Sequence, residues 1–240
     1  MCLPKHALIF AGGLGTRLRT RVSDVPKPMA SVGGKPFLAY QLMYWIRQGI
    51  NHFTLSVGYL AETIEAYFGT SFCGASVDYV FEETPLGTGG ALALAFRRGV
   101  FNESPALVLN GDTWFEADMA LLTKKCHERQ WAMTLALREL DENTRYGGVL
   151  TDESGLIQSF GDPNSLLINA GCYLISPPAV QPYLERFSER FSLEGELLPL
   201  LAKESCLCGS VQHVNFIDIG IPEDYDRFCA APPKLDLRDM

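Results

Sequence analysis

Apolar residues recur along this chain in two alternating rhythms. Residues 6–11 form a compact apolar run, and 37–48 place Phe37, Leu38, Leu42, Trp45 and Ile46 at helical spacing before the stop signal Gly49. The segments 53–57, 77–81 and 106–109 read as buried strands, while 60–68 returns to the helical period and 88–98 is an alanine-rich helix. Such alternation predicts a parallel sheet with helices on both faces, wound right-handed. The second half is richer in strands, at 133–137, 148–150, 156–160 and 168–175, with helices at 178–187 and 193–201. A late strand at 211–216 and a terminal helix at 222–228 complete the pattern. The predicted class is α/β, with an antiparallel part added to a parallel, nucleotide-binding half.

Composition narrows what such a fold serves. With 240 residues, 47% of them hydrophobic, the chain can bury one sizeable core, and one compact unit is expected. No apolar run approaches the roughly 20 residues that span a bilayer, and the N-terminus has no signal-peptide core, so a cytoplasmic protein without membrane contact is expected. The seven cysteines are scattered, and only Cys206 and Cys208 lie close, so reduced and mostly buried thiols are expected rather than a zinc site. His6, His52, His127 and His213 show no metal spacing. A net charge of −8 without a Lys/Arg cluster argues against nucleic acid, so an anionic ligand would be held by a few local cations and backbone N–H groups.

Those cations stand next to glycines. Residues 8–17, LIFAGGLGTR, carry a buried strand into a glycine loop at the carboxyl edge of the sheet, where phosphate oxygens find N–H donors. Counting a dinucleotide fingerprint from Gly13 puts Leu18 where the third glycine belongs, and no Lys-Ser/Thr follows to make a Walker loop. Arg17 on the loop and Lys27, braced between Pro26 and Pro28, can bring positive charge to one phosphate group. Asp112 in LNGDTWF and Asp218 in DIG both fall at strand ends, where two carboxylates can converge on one Mg²⁺. In EETPLGTGGALALAF, residues 82–96, a glycine-rich turn opens a helix and can approach a base and ribose closely. Glu82 there can accept from guanine N1–H and N2–H together, whereas uracil offers a single N–H.

GGLGTRL followed by DVPKPM resembles the signature of the sugar nucleotidyltransferases, which join a nucleoside triphosphate to a sugar 1-phosphate and release pyrophosphate. LRTRV after Gly15-Thr16, with SDVPKPMA, is similar to the heptose 1-phosphate guanylyltransferase branch. The resemblance runs from Ile9 to Tyr225. It implies a Rossmann-like three-layer sandwich with a mixed, mainly parallel central sheet, of the nucleotide-diphospho-sugar transferase type. It also implies one catalytic domain at 1–230, a tail at 231–240, a minimal core without an appended regulatory domain, and a monomer or homodimer. The implied nucleotide site comprises Ala11, Gly12, Gly13, Gly15, Thr16, Arg17, Lys27, Glu82, Pro85, Gly87, Thr88 and Gly111. Arg17, Lys27 and Asp112 are the implied catalytic groups, with Mg²⁺ on Asp112 and Asp218.

For the acceptor, the resemblance implies Asn110, Gly147 in RYGGV, Asn169 in INAG and Glu194 in SLEGE. Two cations of the wider family are missing: Gly161-Asp162-Pro163 stands where relatives carry Glu-Lys-Pro, and Gly195 stands where they carry lysine. Either another group such as Arg145 substitutes, or the acceptor is bound differently, or the acceptor half has lost its activity. GTP and a heptose or mannose-like 1-phosphate are the expected substrates, for surface-polysaccharide precursors. UTP or CTP use, or a nucleotide-sugar sensor without turnover, are the alternatives.

Overall fold

The computed structural model describes residues 3–13, 25–101, 105–128, 131–142 and 145–235. Strand β1 (His6–Phe10) is followed by a 3-10 turn at Lys27–Met29, the short hairpin β2 (Ser31–Val32) and β3 (Lys35–Pro36), and helix α1 (Phe37–Arg47). Next come β4 (His52–Val57), α2 (Ala61–Phe68), β5 (Ser71–Phe72), β6 (Ala75–Phe81), α3 (Gly87–Arg97), β7 (Ala106–Asn110) and β8 (Thr113–Phe115). The second half holds α4 (Met119–Glu128), β9 (Met133–Glu139), β10 (Gly148–Thr151), β11 (Ile157–Asp162), β12 (Leu167–Ile175) and α5 (Pro177–Leu184). A widened helical turn (Leu193–Leu197), α6 (Leu198–Lys203), β13 (Leu207–Val211), β14 (Phe216–Asp218) and α7 (Pro222–Ala230) complete it.

Ten strands form the main sheet, in the order β11-β10-β12-β7-β1-β4-β6-β5, with β9 also paired to β12 and β13 to β9. Strands β7, β1, β4 and β6 are mutually parallel, and β12 joins β7 in antiparallel sense. The sheet is thus parallel in the half expected to bind nucleotide, and the expected antiparallel part is added beside it by β9, β10 and β12.

Period-two alternation along the central strands builds the layers. Ala7 and Ile9 of β1, Phe53, Leu55 and Val57 of β4, and Leu107 and Leu109 of β7 pack with α1, α2 and the start of α4. Leu8, Ala106 and Val108 point the other way, into a core shared with α3, α5 and α6. Strands buried on both faces read as continuous apolar runs, and these were the segments the sequence pattern located. A third cluster around Phe37, Trp114, Ile217, Ile219 and Phe228 seats α7 and the β8–β14 ribbon against α1.

The expected strand at 211–216 is two strands in two sheets. Leu207–Val211 pairs with β9, and Phe216–Asp218 pairs with β8. Between them Gln212 is buried and accepts a hydrogen bond from the Asp118 backbone at 2.7 Å, which ends the first strand. The stretch LCGSV has little of the β-branched or aromatic content that marks a strand, so its pairing could only be seen in three dimensions. Helix α4, which the pattern reading omits, starts at an ordinary cap: Asp118 Oδ1 accepts from Ala120 N at 2.7 Å.

Histidines 6 and 52 lie at the start of adjacent strands with their rings stacked 4.3 Å apart. Burial, and after it the His52 ring, pull the His6 imidazole down to about 4. The described cysteines 73, 172, 206, 208 and 229 are free thiols, with Cys172 and Cys208 buried. Among the described residues no helix is long and apolar enough to cross a membrane.

Candidate active site

The carboxyl ends of β1 and β7 open onto a cleft of about 390 Å³. Its walls bring together Gly12, Gly13, Lys27 and Glu82 from the first half with Pro85, Gly87 and Thr88 at the head of α3. Asn110, Gly111 and Asp112, at the end of β7, close it. Residues separated by up to a hundred positions thus meet in one space. Gly15, Thr16 and Arg17 lie outside the described residues.

Lys27 sits at the chemical centre. The prolines on either side hold it in the 3-10 turn, and its side chain is buried. Its ammonium donates to Asp112 Oδ2 at 2.6 Å and lies 3.6 Å from Asp218 Oδ1. Asp218 itself accepts from Gly220 N at 2.7 Å, and a Cβ at Gly220 would collide with Lys27 Nζ, so DIG needs its glycine for close approach. Asp112 is brought here by backbone: Gly111 N–H donates to Phe10 O at 3.0 Å, and Ile219 N–H donates to Asp112 O at 3.0 Å. The two aspartates predicted to converge therefore do so, around a cation supplied by the protein.

A residue that the sequence reading did not single out pins this turn. Gln41 of α1, buried, donates through Nε2 to Asn110 O at 2.9 Å and to Thr113 O at 2.6 Å, the carbonyls on either side of Gly111-Asp112. Its signal in the sequence is a polar residue amid the apolar run FLAYQLMYW, which a buried helix face would otherwise exclude.

Glu82, also in the lining of the cleft, is half-buried just after β6. Ser56 Oγ donates to its Oε1 at 2.9 Å, and Leu86 N–H approaches Oε2 at 3.4 Å. Burial raises the Glu82 carboxyl above its ordinary value, while those two hydrogen bonds work in the opposite direction. A Cβ on Gly12 would stand 2.6 Å from Glu82 Oε1, so the glycine loop and the carboxylate need each other's shape. Fully buried Ser56 also accepts from Ala11 N–H at 2.7 Å through its carbonyl, joining the loop to the carboxylate. Ser56 was invisible in the sequence, where a serine within HFTLSV reads only as the polar phase of a strand.

The expected backbone donors are partly committed already. Ala11 N–H and Gly111 N–H are bonded within the sheet, and Gly89 and Gly90 N–H donate to Phe191 O at 3.1 and 3.2 Å. The glycines of GTGG admit the 189–193 segment: a Cβ at Gly87 would meet Phe191 O, and one at Gly89 would strike the Phe191 ring. Gly87 also holds φ +74°, which favours glycine. This packing delivers Glu194 to the cleft. Its Oε2 accepts from Thr88 Oγ1 at 2.6 Å, and its Oε1 from Tyr173 OH at 3.3 Å and Asn110 Nδ2 at 3.5 Å.

Asn169 donates to Tyr173 OH at 2.8 Å. Tyr173 is fully buried, and its burial raises the phenol well above its usual range. Gly148 pairs with Ile168, and that antiparallel register sets Gly147 beside Asn169. Gly147 itself approaches Gly161, a Cβ there lying 3.5 Å from Gly161 Cα. Of the four residues predicted to serve the sugar, Asn110 lines the cleft, Glu194 bonds to it, Asn169 reaches Glu194 through Tyr173, and Gly147 precedes β10.

Glycines and a buried lysine at the edge of a parallel sheet, with two facing aspartates and a further carboxylate in the lining, define a phosphate-handling nucleotide enzyme. The chain belongs to the nucleotidyl transferase family, whose model matches residues 6–229. It is 41% identical over 222 residues to the D-glycero-alpha-D-manno-heptose 1-phosphate guanylyltransferase of Aneurinibacillus thermoaerophilus, covering 92% of this chain and 95% of that one. The Campylobacter jejuni protein of the same name is 40% identical, covering 93% of this chain and 98% of its own. Among solved structures, HddC from Yersinia pseudotuberculosis complexed with GMP-PN superposes with a TM-score of 0.80 at 33% identity, covering 94% of this chain and 98% of that one.

Proposed function

We propose that the protein transfers a guanylyl group from GTP to a sugar 1-phosphate, a heptose or mannose-like sugar, giving the GDP-sugar and pyrophosphate. The observation that carries this reading is Lys27 held between Asp112 and Asp218 beside a cleft that Glu82 also lines. The guanylyltransferases named above support the base and the acceptor class.

An acceptor phosphate has a second pKa near 6, so at neutral pH it is mostly a dianion and attacks without a protein base. One of its oxygens forms the bond to the α-phosphorus as the bond from that phosphorus to the bridging oxygen of pyrophosphate breaks, and the electron pair leaves with pyrophosphate. The chain then has to align the two phosphates and offset their charge. Lys27, with Arg17 from the glycine loop, offsets charge on the α-phosphate and the leaving group. Ser56 and Leu86 hold Glu82 as an acceptor for the guanine N1–H and N2–H.

Among the described residues of the site Asp112, Asp218 and Glu82 outnumber Lys27, an excess of negative charge that a divalent cation would offset. The donor set fits Mg²⁺: hard carboxylate oxygens, too few to enclose an ion, leaving positions for phosphate oxygens and water. Asp112 and Asp218 would hold it, and when bound it supplies charge neutralisation at the phosphates.

Pyrophosphate release measured for four NTPs against hexose, aminosugar and heptose 1-phosphates, with Mg²⁺, tests the reading. Preference for GTP with a heptose or mannose 1-phosphate is expected. Equal use of UTP or CTP would overturn the role of Glu82, and GDP-sugar binding without turnover on any acceptor would make the protein a nucleotide-sugar sensor.

A further inference from the structure

Glu194 carries the inference, which rests on the guanylyltransferase reading above. A carboxylate offers about four lone-pair directions, and here four protein donors face it, one at a short distance and three at longer ones. Thr88 Oγ1 and Ser192 Oγ stand 2.6 and 3.5 Å from Oε2, and Tyr173 OH and Asn110 Nδ2 stand 3.3 and 3.5 Å from Oε1. The directions of these bonds are determined. Thr88 Oγ1 accepts from Leu193 N–H at 3.0 Å, and its single proton goes to Glu194. Tyr173 OH accepts from Asn169 Nδ2 at 2.8 Å, so its proton also goes to Glu194.

We infer that Glu194 is a positioning carboxylate rather than a direct ligand of the acceptor sugar, and that it ties the nucleotide wall to the acceptor wall. Thr88 lies at the head of α3 on the nucleotide side; Asn110 and, through Tyr173, Asn169 lie on the acceptor side. The carboxylate also sets what those amides offer. Asn110 turns its Nδ2 to Glu194, which leaves Oδ1 buried with no donor among the described residues. That oxygen awaits a hydroxyl donor from a bound sugar or ribose. Asn169 keeps one N–H beyond the bond to Tyr173, and its Oδ1 accepts from Gly171 N–H at 3.0 Å.

The local backbone was shaped for this purpose. Glu194 sits on a widened turn in which Leu197 N–H reaches back to Ser192 O, and such turns recur at functional sites. Ser192 Oγ accepts from Gly195 N–H at 2.9 Å while Glu196 accepts from Ser192 N–H at 2.8 Å, a reciprocal cap that fixes the start of the turn.

The test uses Glu194→Gln and Tyr173→Phe, both near-isosteric, with thermal unfolding to confirm that each is folded. Calorimetry with a non-hydrolysable GTP analogue, without acceptor, is paired with KM for the sugar 1-phosphate. Glu194→Gln should weaken the GTP analogue and raise the acceptor KM together, each by about fivefold to thirtyfold. Tyr173→Phe should raise the acceptor KM, and the double variant should lose less than the two single losses combined. Thr88→Val should raise the acceptor KM although Thr88 faces the nucleotide, and Thr88→Ser should restore it; this pair reports even if Glu194→Gln does not fold. An unchanged GTP-analogue affinity in Glu194→Gln, with only the acceptor KM raised, makes Glu194 a direct sugar ligand and overturns the coupling. Failure of the wild-type protein to bind the GTP analogue or to release pyrophosphate overturns the guanylyltransferase reading, and the coupling with it.

Discussion

The two walls of the cleft solve different problems with different materials. The nucleotide wall, built on parallel strands, concentrates charge: Lys27, Asp112, Asp218 and Glu82 are held by backbone bonds, glycine contacts and one serine. The wall proposed for the acceptor shares one carboxylate, Glu194, among hydroxyls and an amide from α3, β7 and β12. Charge is what a polyphosphate requires, and an array of oriented neutral groups is what sugar hydroxyls require. Mutation of the charged groups on the first wall should therefore act on turnover and on pH dependence, mutation of Asn169 on the second on acceptor affinity, and mutation of Glu194, which joins them, on both substrates.

The largest effect is expected at Lys27 and Asp112. Lys27→Ala or Asp112→Ala should each lower kcat for pyrophosphate release by about 10²–10³, the usual loss for a preorganised charge. A variant that turns over at nearly the wild-type rate would remove that residue from the charge-handling centre.

Glu82→Gln comes next. Replacing a two-point acceptor by an amide that presents N–H to guanine N1–H or N2–H should cut the ratio of kcat/KM for GTP over UTP by about 10–100-fold. ITP, which lacks the 2-amino group, sharpens the test: wild type should favour GTP over ITP and the variant should not.

Acid should also act through the same residue. Burial raises the Glu82 carboxyl, so its ionised form, and GTP affinity with it, should be complete above that raised pKa and be lost as pH falls through it. The sign for stability is opposite to that of a salt-bridged acid: the folded chain holds this proton more readily than the unfolded one, so ionising Glu82 weakens the fold as pH rises. Ser56→Ala removes a bond that favours the carboxylate and should move the acid limb of the kcat/KM profile for GTP to still higher pH. An unmoved limb would assign it to another group.

The smallest effect belongs to the acceptor wall. Asn169→Ala should raise the KM for the sugar 1-phosphate by about threefold to tenfold, with the GTP KM within twofold, as expected for a neutral hydrogen bond. A comparable rise in the GTP KM would show that the two walls are less distinct than their architecture implies.

Legibility followed the same division. The buried parallel strands and helices α1 to α3 could be read because their period is strong and local, and LIFAGGLGTR, PKPM, NGD and DIG each carry a chemical constraint within a few residues. The acceptor wall was legible only as positions in a family pattern. Nothing near Tyr173 in GCYLI announces a hydroxyl bridging Asn169 and Glu194, and nothing in FLAYQLMYW says that Gln41 clasps both carbonyls flanking Gly111-Asp112. The split of the expected 211–216 strand has the same origin: the Gln212 backbone still bonds Leu137 of β9 while its side chain accepts from the backbone of Asp118, ninety-four residues away.

The sequence by itself determined the alternation of strand and helix, the location of the glycine loop and the identity of the charged groups. These depend on period, backbone restriction and side-chain chemistry, all expressed over short stretches. Only the tertiary structure decided which donors remain free. Ala11, Gly89, Gly90 and Gly111 spend their N–H groups on the fold, and Glu194, which reads in the chain as a sugar ligand, faces donors from three other segments. Hydrogen-bond capacity is finite and is claimed by whatever neighbour the fold delivers, so a side chain's remaining valence cannot be known until its surroundings are.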